Sequence, residues 1–498
     1  MAAVKDLIIQ TLEPKITPPS ISVPDFETAG SDNNIRSGEK SGYAQQLGKK
    51  SPLIKIGNST IAPNNVISMS VSMNSIIPTI HVAVIDPMGT LTSRTYPRTS
   101  LLITAFVAQS HPKLKSFSQS FLITNVHSIP LGFGETRYDF FGELYIPNLN
   151  GNFIKSYTGL TSAQALKKVA EELGLGFATN EDTTDDKMTW INPNLNYKSF
   201  IKQVTDHSYK NEKSFFECFI DRYYVLNFIN VEKQFKQFSD DKEISDGYPA
   251  VSTDSIDTSR AENGNTIEAP DATIKLILTN GSIGNKYSEM KILEYSMIGE
   301  NGDILKNNGF RKRILIYKHG EADPLNTWFV EPLSEVSADG ASVYQVPELQ
   351  DYIDNDVVKW MGTDYNNTHS NYKFAKLLNN HNLAEANKNA LLVKLPGFNH
   401  NILRGSRVKV HIYSTRAQQM SHDRIKNELA EPVDSQKSEK PMESTASSEI
   451  FDTYLSDTYY VKSIEYNYNT QDPEYKFTTT MILGRKNWLP EPKVENKE

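Results

Sequence analysis

The stretch that decides the fold runs from Trp190 to Val231 and contains Ser214-Phe-Phe-Glu-Cys-Phe-Ile-Asp221 followed by Val225-Leu-Asn-Phe-Ile-Asn-Val231. Ahead of these, 197–207 reads as a one-sided helix: Phe200, Ile201 and Val204 share a face, and Lys198, Lys202 and Asp206 point away from it. Then the period changes to two. Phe215, Glu217, Phe219 and Asp221 alternate with Phe216, Cys218 and Ile220, so one face is mixed and the other apolar. Arg222-Tyr-Tyr supplies a short reversal, and the nearly all-apolar run of β-formers after it predicts a second strand buried on most of its surface. Pattern alone fits an ordinary α+β core equally well.

Working outward, 498 residues exceed what one core usually serves, which predicts about three domains. The chain is 38% hydrophobic and 22% charged, and its 24 Tyr and 22 Phe against 4 Trp suit sheets and interfaces. A net charge of −8 argues against a dedicated nucleic-acid binder, whose footprint is a basic patch that neutralises phosphates. An acidic wall would instead keep a passing duplex from sticking.

The single cysteine, Cys218, sits between Phe216 and Phe219 and reads as a buried hydrophobe. The first residues have neither the basic start nor the apolar core of a signal peptide, and no run approaches a membrane span of ~20 apolar residues. No stable membrane insertion is expected, and assembly in the cytosol is. Asn58-Ser-Thr60 matches a glycosylation sequon by chance.

Residues 1–50 read as an extended arm: Pro14, Pro18, Pro19 and Pro24 precede glycine- and serine-rich segments. It is either a dispensable tail or, given Leu7, Ile8, Ile9 and Leu12, a strap that orders on a neighbouring subunit. Residues 51–150 carry short β-segments at 53–56, 66–73, 79–85, 101–107, 121–127 and 138–146, parted by turn residues that include Gly132-Phe-Gly134. That is a barrel or sandwich pattern. A helical stripe follows in Ala163, Leu166, Val169, Ala170 and Leu173, with a capping box from Thr161 to Gln164 and Gly174 at the C-terminal stop. With 197–207 and the hairpin it makes a small α+β domain over 151–240. A polar, acidic connection spans 241–270. A second β-domain is expected over 271–414 and 458–490, with strands at 273–279, 291–298, 311–317, 327–332, 390–395, 406–413, 458–468 and 475–483. A helical interruption near 351–388 includes Phe374, Leu377 and Leu378, and a flexible excursion occupies 415–457. The fold class is thus β-rich α+β.

Motifs for catalysis are missing: there is no phosphate loop, no His-Glu-x-x-His, no Gly-x-Ser-x-Gly elbow and no cysteine pair for a metal. His400 and His411 lack a third ligand. Glu171-Glu172 and Asp185-Asp186 are adjacent in sequence and read as solvated faces. No catalytic, cofactor or metal site is expected, and no enzyme activity. A site assembled from distant residues stays open at this stage.

The order of β-barrel, α+β insert, hairpin and second barrel resembles the baseplate hub proteins of contractile-tail phages. It is similar also to phage late control protein D and to the hub part of type VI secretion spike proteins. The residues that carry this are Trp190, Tyr197, Phe200 and Ile201 as a helix start, and the 214–221 hairpin. In the C-terminal half they are Gly397-Phe-Asn-His-Asn-Ile-Leu-Arg-Gly-Ser-Arg-Val-Lys-Val-His-Ile412, Tyr459-Tyr-Val-Lys-Ser-Ile-Glu-Tyr466 and Phe477-Thr-Thr-Thr-Met-Ile-Leu483. The resemblance covers about 52–490. It implies two hub-type β-barrels per chain and a homotrimer whose six barrels adapt a six-fold tail tube to a three-fold central spike, letting DNA through the lumen. The implied partners are a separate spike protein and the tail tube or its initiator, with baseplate wedge proteins and a tape measure as further candidates, all in the virion's tail baseplate. The alternative of a different class is a tail-associated adhesin or cell-wall hydrolase component.

Overall fold

The computed structural model describes residues 8–17, 19, 51–87, 89–107, 117–181, 183–211, 213–234, 275–278, 289–299, 312–318, 324–330, 357–362, 369, 371–386, 389–397, 402–412, 455–456, 458–472 and 475–485. The connection at 241–270, most of the 415–457 excursion and arm residues 20–50 lie outside them.

In chain order the N-terminal strands are β1 Ile9–Leu12, β2 Leu53–Ile56, β3 Ser59–Ile61, β4 Val66–Ser72, β5 Thr79–Pro87, β6 Leu102–Val107, β7 Phe117–Gly132 and β8 Glu135–Leu144, with helix α1 Thr90–Arg94. The middle of the chain contributes β9 Asn152–Leu160, α2 Ser162–Leu173, β10 Gly176–Thr179, β11 Met188–Asn196, α3 Tyr197–Asp206, β12 Phe216–Ile220, β13 Val225–Asn230 and α4 Val231–Gln234. The C-terminal part holds β14 Lys275–Leu278, β15 Glu289–Lys291, β16 Glu294–Gly299, β17 Lys312–Lys318, β18 Pro324–Val330, β19 Val357–Gly362, α5 Tyr372–Ala386, β20 Asn389–Pro396, β21 Arg407–Ile412, β22 Thr458–Asn469 and β23 Phe477–Gly484. The protein is β-rich with few helices.

The hairpin forms as its alternation requires. Phe216 faces Asn230 and Ile220 faces Leu226 across an antiparallel ladder, and all residues of both strands are buried. The reversal is closed by Asp221, whose carboxylate accepts from the Tyr223 amide at 2.8 Å and the Val225 amide at 3.1 Å while Tyr224 takes a left-handed φ of 61°. Phe216 and Phe228 stack at 4.8 Å. Each such ring, fully withdrawn from water, contributes roughly 1.5–3 kcal/mol. Helix α2 has the expected capping box, and Gly174 at φ 71° returns its amide to Ala170 and Glu171. Helix α3 starts at Asn196, which accepts from the Ser199 amide at 2.8 Å, and buries Phe200, Ile201 and Val204.

Among the described residues the two β-rich halves of the chain belong to one 14-stranded sheet. The join is the antiparallel ladder of β22 with β4, Glu465 opposite Ser72 and Asn469 opposite Ser68. Behind it, β10, β13 and β12 make a separate sheet in the order β1-β10-β13-β12, on which α2 and α3 pack.

Four expectations change. The tip of the arm straps its own chain: β1 pairs antiparallel with β10, and Ile8 is buried with Ala178, Phe219, Val225 and Ile229. The proline-rich composition misled, because three ladder pairs and one apolar plug suffice to anchor a strand. Trp190 opens no helix; it lies in β11, which pairs with β9 as a two-stranded ribbon, and its Nε1 donates to the Leu160 carbonyl at 3.0 Å. Residues 357–362, expected in the helical interruption, form β19 alongside β17, as the β-branched and aromatic residues of Val357-Val-Lys-Trp360 favour; the helix proper is α5. Strands β17 and β18, expected in the second β-domain's sheet, pair instead with β19 in a three-stranded sheet of their own.

Candidate functional site: a polar sheet face and the seam behind it

Strand β4 alternates Val66, Met69 and Val71 toward the core with Ser68, Ser70 and Ser72 on the other side. The register continues this polar side in both directions. Across β22 it meets Glu465, Asn467 and Asn469; across β5 and β8 it meets Thr79, His81, Asp139, Phe141 and Glu143; on β7 it meets Asn125 and His127. One face therefore runs from the C-terminal strands into the N-terminal ones, built of small hydroxyls, amides and carboxylates. Its core side holds Val71, Val82, Phe140, Ile464 and Tyr466, all at or below 1% exposure.

The cations on this stretch of the face are tied to carboxylates. Arg137 reaches Asp139 at 2.9 Å, and Lys198, from α3, reaches Glu143 at 2.9 Å. His81 stacks on Phe141 at 4.6 Å and lies 3.4 Å from Asp139; Asn125 and His127 are hydrogen-bonded at 2.9 Å. A shallow cavity of about 300 Å³ opens here between Ser70, Ser72, His81, Thr124, Phe141 and Glu143. With Arg137 and Lys198 held by carboxylates, this stretch offers little to grip a phosphate chain, since backbone affinity scales with the phosphates neutralised.

Behind the face a buried seam locks the hairpin to both halves. Arg404 donates to the Ser75 carbonyl at 2.7 Å and the Met73 carbonyl at 3.3 Å, stands 3.4 Å from Glu217 and lies 4.5 Å over the Phe219 ring. Tyr460 of β22 donates to the same Glu217 oxygen at 2.6 Å. Burial, then the Glu217 charge, holds the Tyr460 phenol well above its ordinary range. Thus β12, the turn after β4 and β22 meet at one carboxylate. Gly405, at φ 89°, is needed for closeness as well as conformation, because a Cβ there would run into Ile229 and Phe219. On the other side of the hairpin Arg222 stacks over Tyr223 at 4.5 Å, and its carbonyl accepts from Gln119 of β7.

A second lock joins α5 to α3. Asn379 donates to the carbonyls of Thr205, Asp206 and Ser208, at the end of α3 and just past it. His207 stacks on Tyr372 at 4.0 Å and bonds its carbonyl at 3.0 Å; His369 bonds the His207 carbonyl at 3.1 Å. Burial pulls both imidazoles below their ordinary pKa.

Cys218 is buried and its thiol is pushed up to about 12 by burial. Gly132-Phe-Gly134 is the β7–β8 turn, with positive φ throughout. His411 lies in β21, and His400 is outside the described residues. Glu172, read as solvated, receives Lys155 at 2.6 Å and Tyr157 at 3.0 Å. Asp186 is a correction: it is fully buried, accepting from the Ser162 amide at 2.9 Å and the Tyr209 amide at 3.0 Å, so it fastens the start of α2 to the loop after α3. Its charged neighbour Asp185 gave no hint of this. Among the described residues no group of three or more His, Cys, Asp or Glu is placed to hold a metal, and no helix is long and apolar enough to cross a membrane.

No protein-family model matches the chain, and no curated protein sequence does. Among solved structures it is similar to the 43 kDa tail protein of prophage MuSo2 from Shewanella oneidensis, at 8% identity and a TM-score of 0.46, over 88% of this chain and 98% of that one. It is similar also to a tail protein from Neisseria meningitidis MC58, at 7% identity and a TM-score of 0.45, over 87% and 96%. A third is an E. coli component of the type VI secretion system, described as structurally similar to the T4 bacteriophage tail proteins gp27 and gp5, at 8% identity and a TM-score of 0.38, over 88% and 75%.

Proposed function

We propose that the chain is a structural baseplate hub of a contractile phage tail: a homotrimeric ring of two β-barrels per chain that adapts a six-fold tube to a three-fold central spike and lets DNA pass. The observation that carries this reading is the β22–β4 ladder, which makes the two halves of one chain neighbours in a single sheet with one shared polar face. A channel wall suits that arrangement: side-by-side modules, a continuous inner surface, and an acidic face whose Arg137 and Lys198 are held by carboxylates, so that phosphates slide past. The Glu217–Arg404–Tyr460 seam holds the modules at a fixed angle, as a rigid adaptor requires. The spike is a separate chain, the tube or its initiator binds the opposite rim, and the role is structural, not enzymatic. Light scattering tests the reading. It predicts a particle of three times the 56.1 kDa chain mass at micromolar concentration; a chain that stays monomeric up to the highest soluble concentration counts against it.

A further inference from the structure

On one side of the C-terminal strands an apolar layer runs from β23 through β20 and loses its cover at β16. Leu483 and Met481 of β23 stand opposite Leu391 and Val393 of β20, and these stand opposite Met297 and Tyr295 of β16. Residues paired across antiparallel ladders share a face, so all six side chains belong to one layer. The four on β23 and β20 are fully buried, yet Met297 is 60% and Tyr295 37% exposed. Glu294 and Ser296 alternate with them on the other side of β16 and are exposed as well.

The strand next to this layer leads into a segment with the right chemistry. Strand β23 ends at Gly484, which pairs with Ala390, which pairs with Ile298, the neighbour of Met297. Two strand spacings of ~4.8 Å put that end about 10 Å from β16. The last fixed point is Arg485, which is buried with its guanidinium 5.8 Å from the centre of the Tyr459 ring. Residues 486–498 lie outside the described residues. They begin Lys486-Asn-Trp-Leu-Pro490 and continue Glu491-Pro-Lys-Val-Glu-Asn-Lys-Glu498, so an apolar pair comes at once and charge follows. The three residues from Arg485 to Trp488 span about 10 Å when extended, which matches the gap.

We propose that Trp488 and Leu489 of the chain's own C-terminal segment pack over Tyr295 and Met297 and complete the apolar layer at β16. An indole withdraws about 150–250 Å² of surface on burial, enough to lie across two neighbouring side chains. The Met297 thioether suits the edge of an aromatic ring, and Tyr295 offers a ring for offset or edge-on contact. Pro490 and Pro492 bring no N–H, so the segment acts through side-chain cover and leaves the hydrogen-bonding edge of β16 open. The packing holds whether or not the chain is a hub.

The test isolates one indole. Subtracting the emission of the full-length Trp488→Phe variant from that of the unaltered chain leaves the Trp488 signal, and iodide quenching reports its exposure. A free peptide of residues 486–498 sets the level for an indole in water. The expected result is quenching several-fold weaker than in the peptide, raised to the peptide's level by Met297→Lys and, separately, by Tyr295→Lys, with far-UV circular dichroism unchanged because both positions are exposed. Quenching at the peptide's level in the unaltered chain overturns the proposal, and so does a Trp488 that stays shielded in both lysine variants. A short bismaleimide on a chain carrying Met297→Cys and Leu489→Cys then shows whose segment it is, since the native Cys218 is buried. A cross-linked product of single-chain mass is expected; covalent dimers overturn the assignment to the same chain and give the site to a second copy.

Discussion

Replacing Arg404 by methionine tests whether the hairpin is locked to both halves of the sheet as the geometry requires. The guanidinium side chain is 12% exposed and that of Glu217 8%, so the pair is shielded from water. Removing Arg404 deletes its bonds to Ser75 and Met73 and its contact over Phe219, and leaves the Glu217 charge buried with only Tyr460 as donor. Breaking one side of a buried pair costs about 3–5 kcal/mol. Because the seam is local, the loss is read best by hydrogen exchange with mass spectrometry, following the amides of β12 and β22. At about 1.4 kcal/mol per tenfold, protection there falls by roughly a hundredfold or more, while β5 and β8 change little. Adding Glu217→Gln removes the stranded charge, so the double variant recovers part of the loss, with a coupling of about 1–3 kcal/mol. Strictly additive effects, or an Arg404→Met chain with wild-type protection in β12, would refute the seam.

Asp186→Ala strands two buried amide donors, Ser162 and Tyr209, and is expected to cost about 2–4 kcal/mol; Asp186→Asn, which keeps an acceptor oxygen, costs less, as a urea titration of the α+β sheet's fluorescence will report. His207 and His369 have folded pKa values depressed by burial, so their contribution is fully present above about pH 6.5 and is lost progressively as pH falls below that toward their lower folded values. Thermal scans from pH 7.5 to 5 should show a fall in melting temperature that H207Q/H369Q flattens; an unaltered slope contradicts the assignment. Deleting residues 1–17 removes β1 and uncovers Ala178 and Ile229, and is expected to raise exchange in β10 while the 14-stranded sheet keeps its protection. Loss of protection across the whole sheet would show that the arm does more than strap β10.

Elements with a strong local period were legible. The stripe of α2 with its capping box, the α3 face and the alternation of β12 and β13 each follow from residues a few positions apart. Long-range pairing was not. Nothing in Ser68-Met-Ser-Val-Ser72 says that Ser72 lies opposite Glu465, nearly four hundred positions away, though its alternation does announce one polar side. Trp190 was misplaced because β11 is held by β9, and the extended Asn192-Pro-Asn-Leu-Asn196 is stabilised by the Asn192 side chain bonding 194 and 195, not by any apolar period. The seam was invisible for the same reason. Glu217 marked a mixed strand face, and only the fold brings Arg404 and Tyr460 to it.

The central claim is a ring with an open, polar-walled channel, and electron microscopy of the purified particle tests it most directly. Class averages with three-fold symmetry and a central hole wide enough for a DNA duplex are the predicted result. Solid particles without a hole, or single chains alone, would contradict the account.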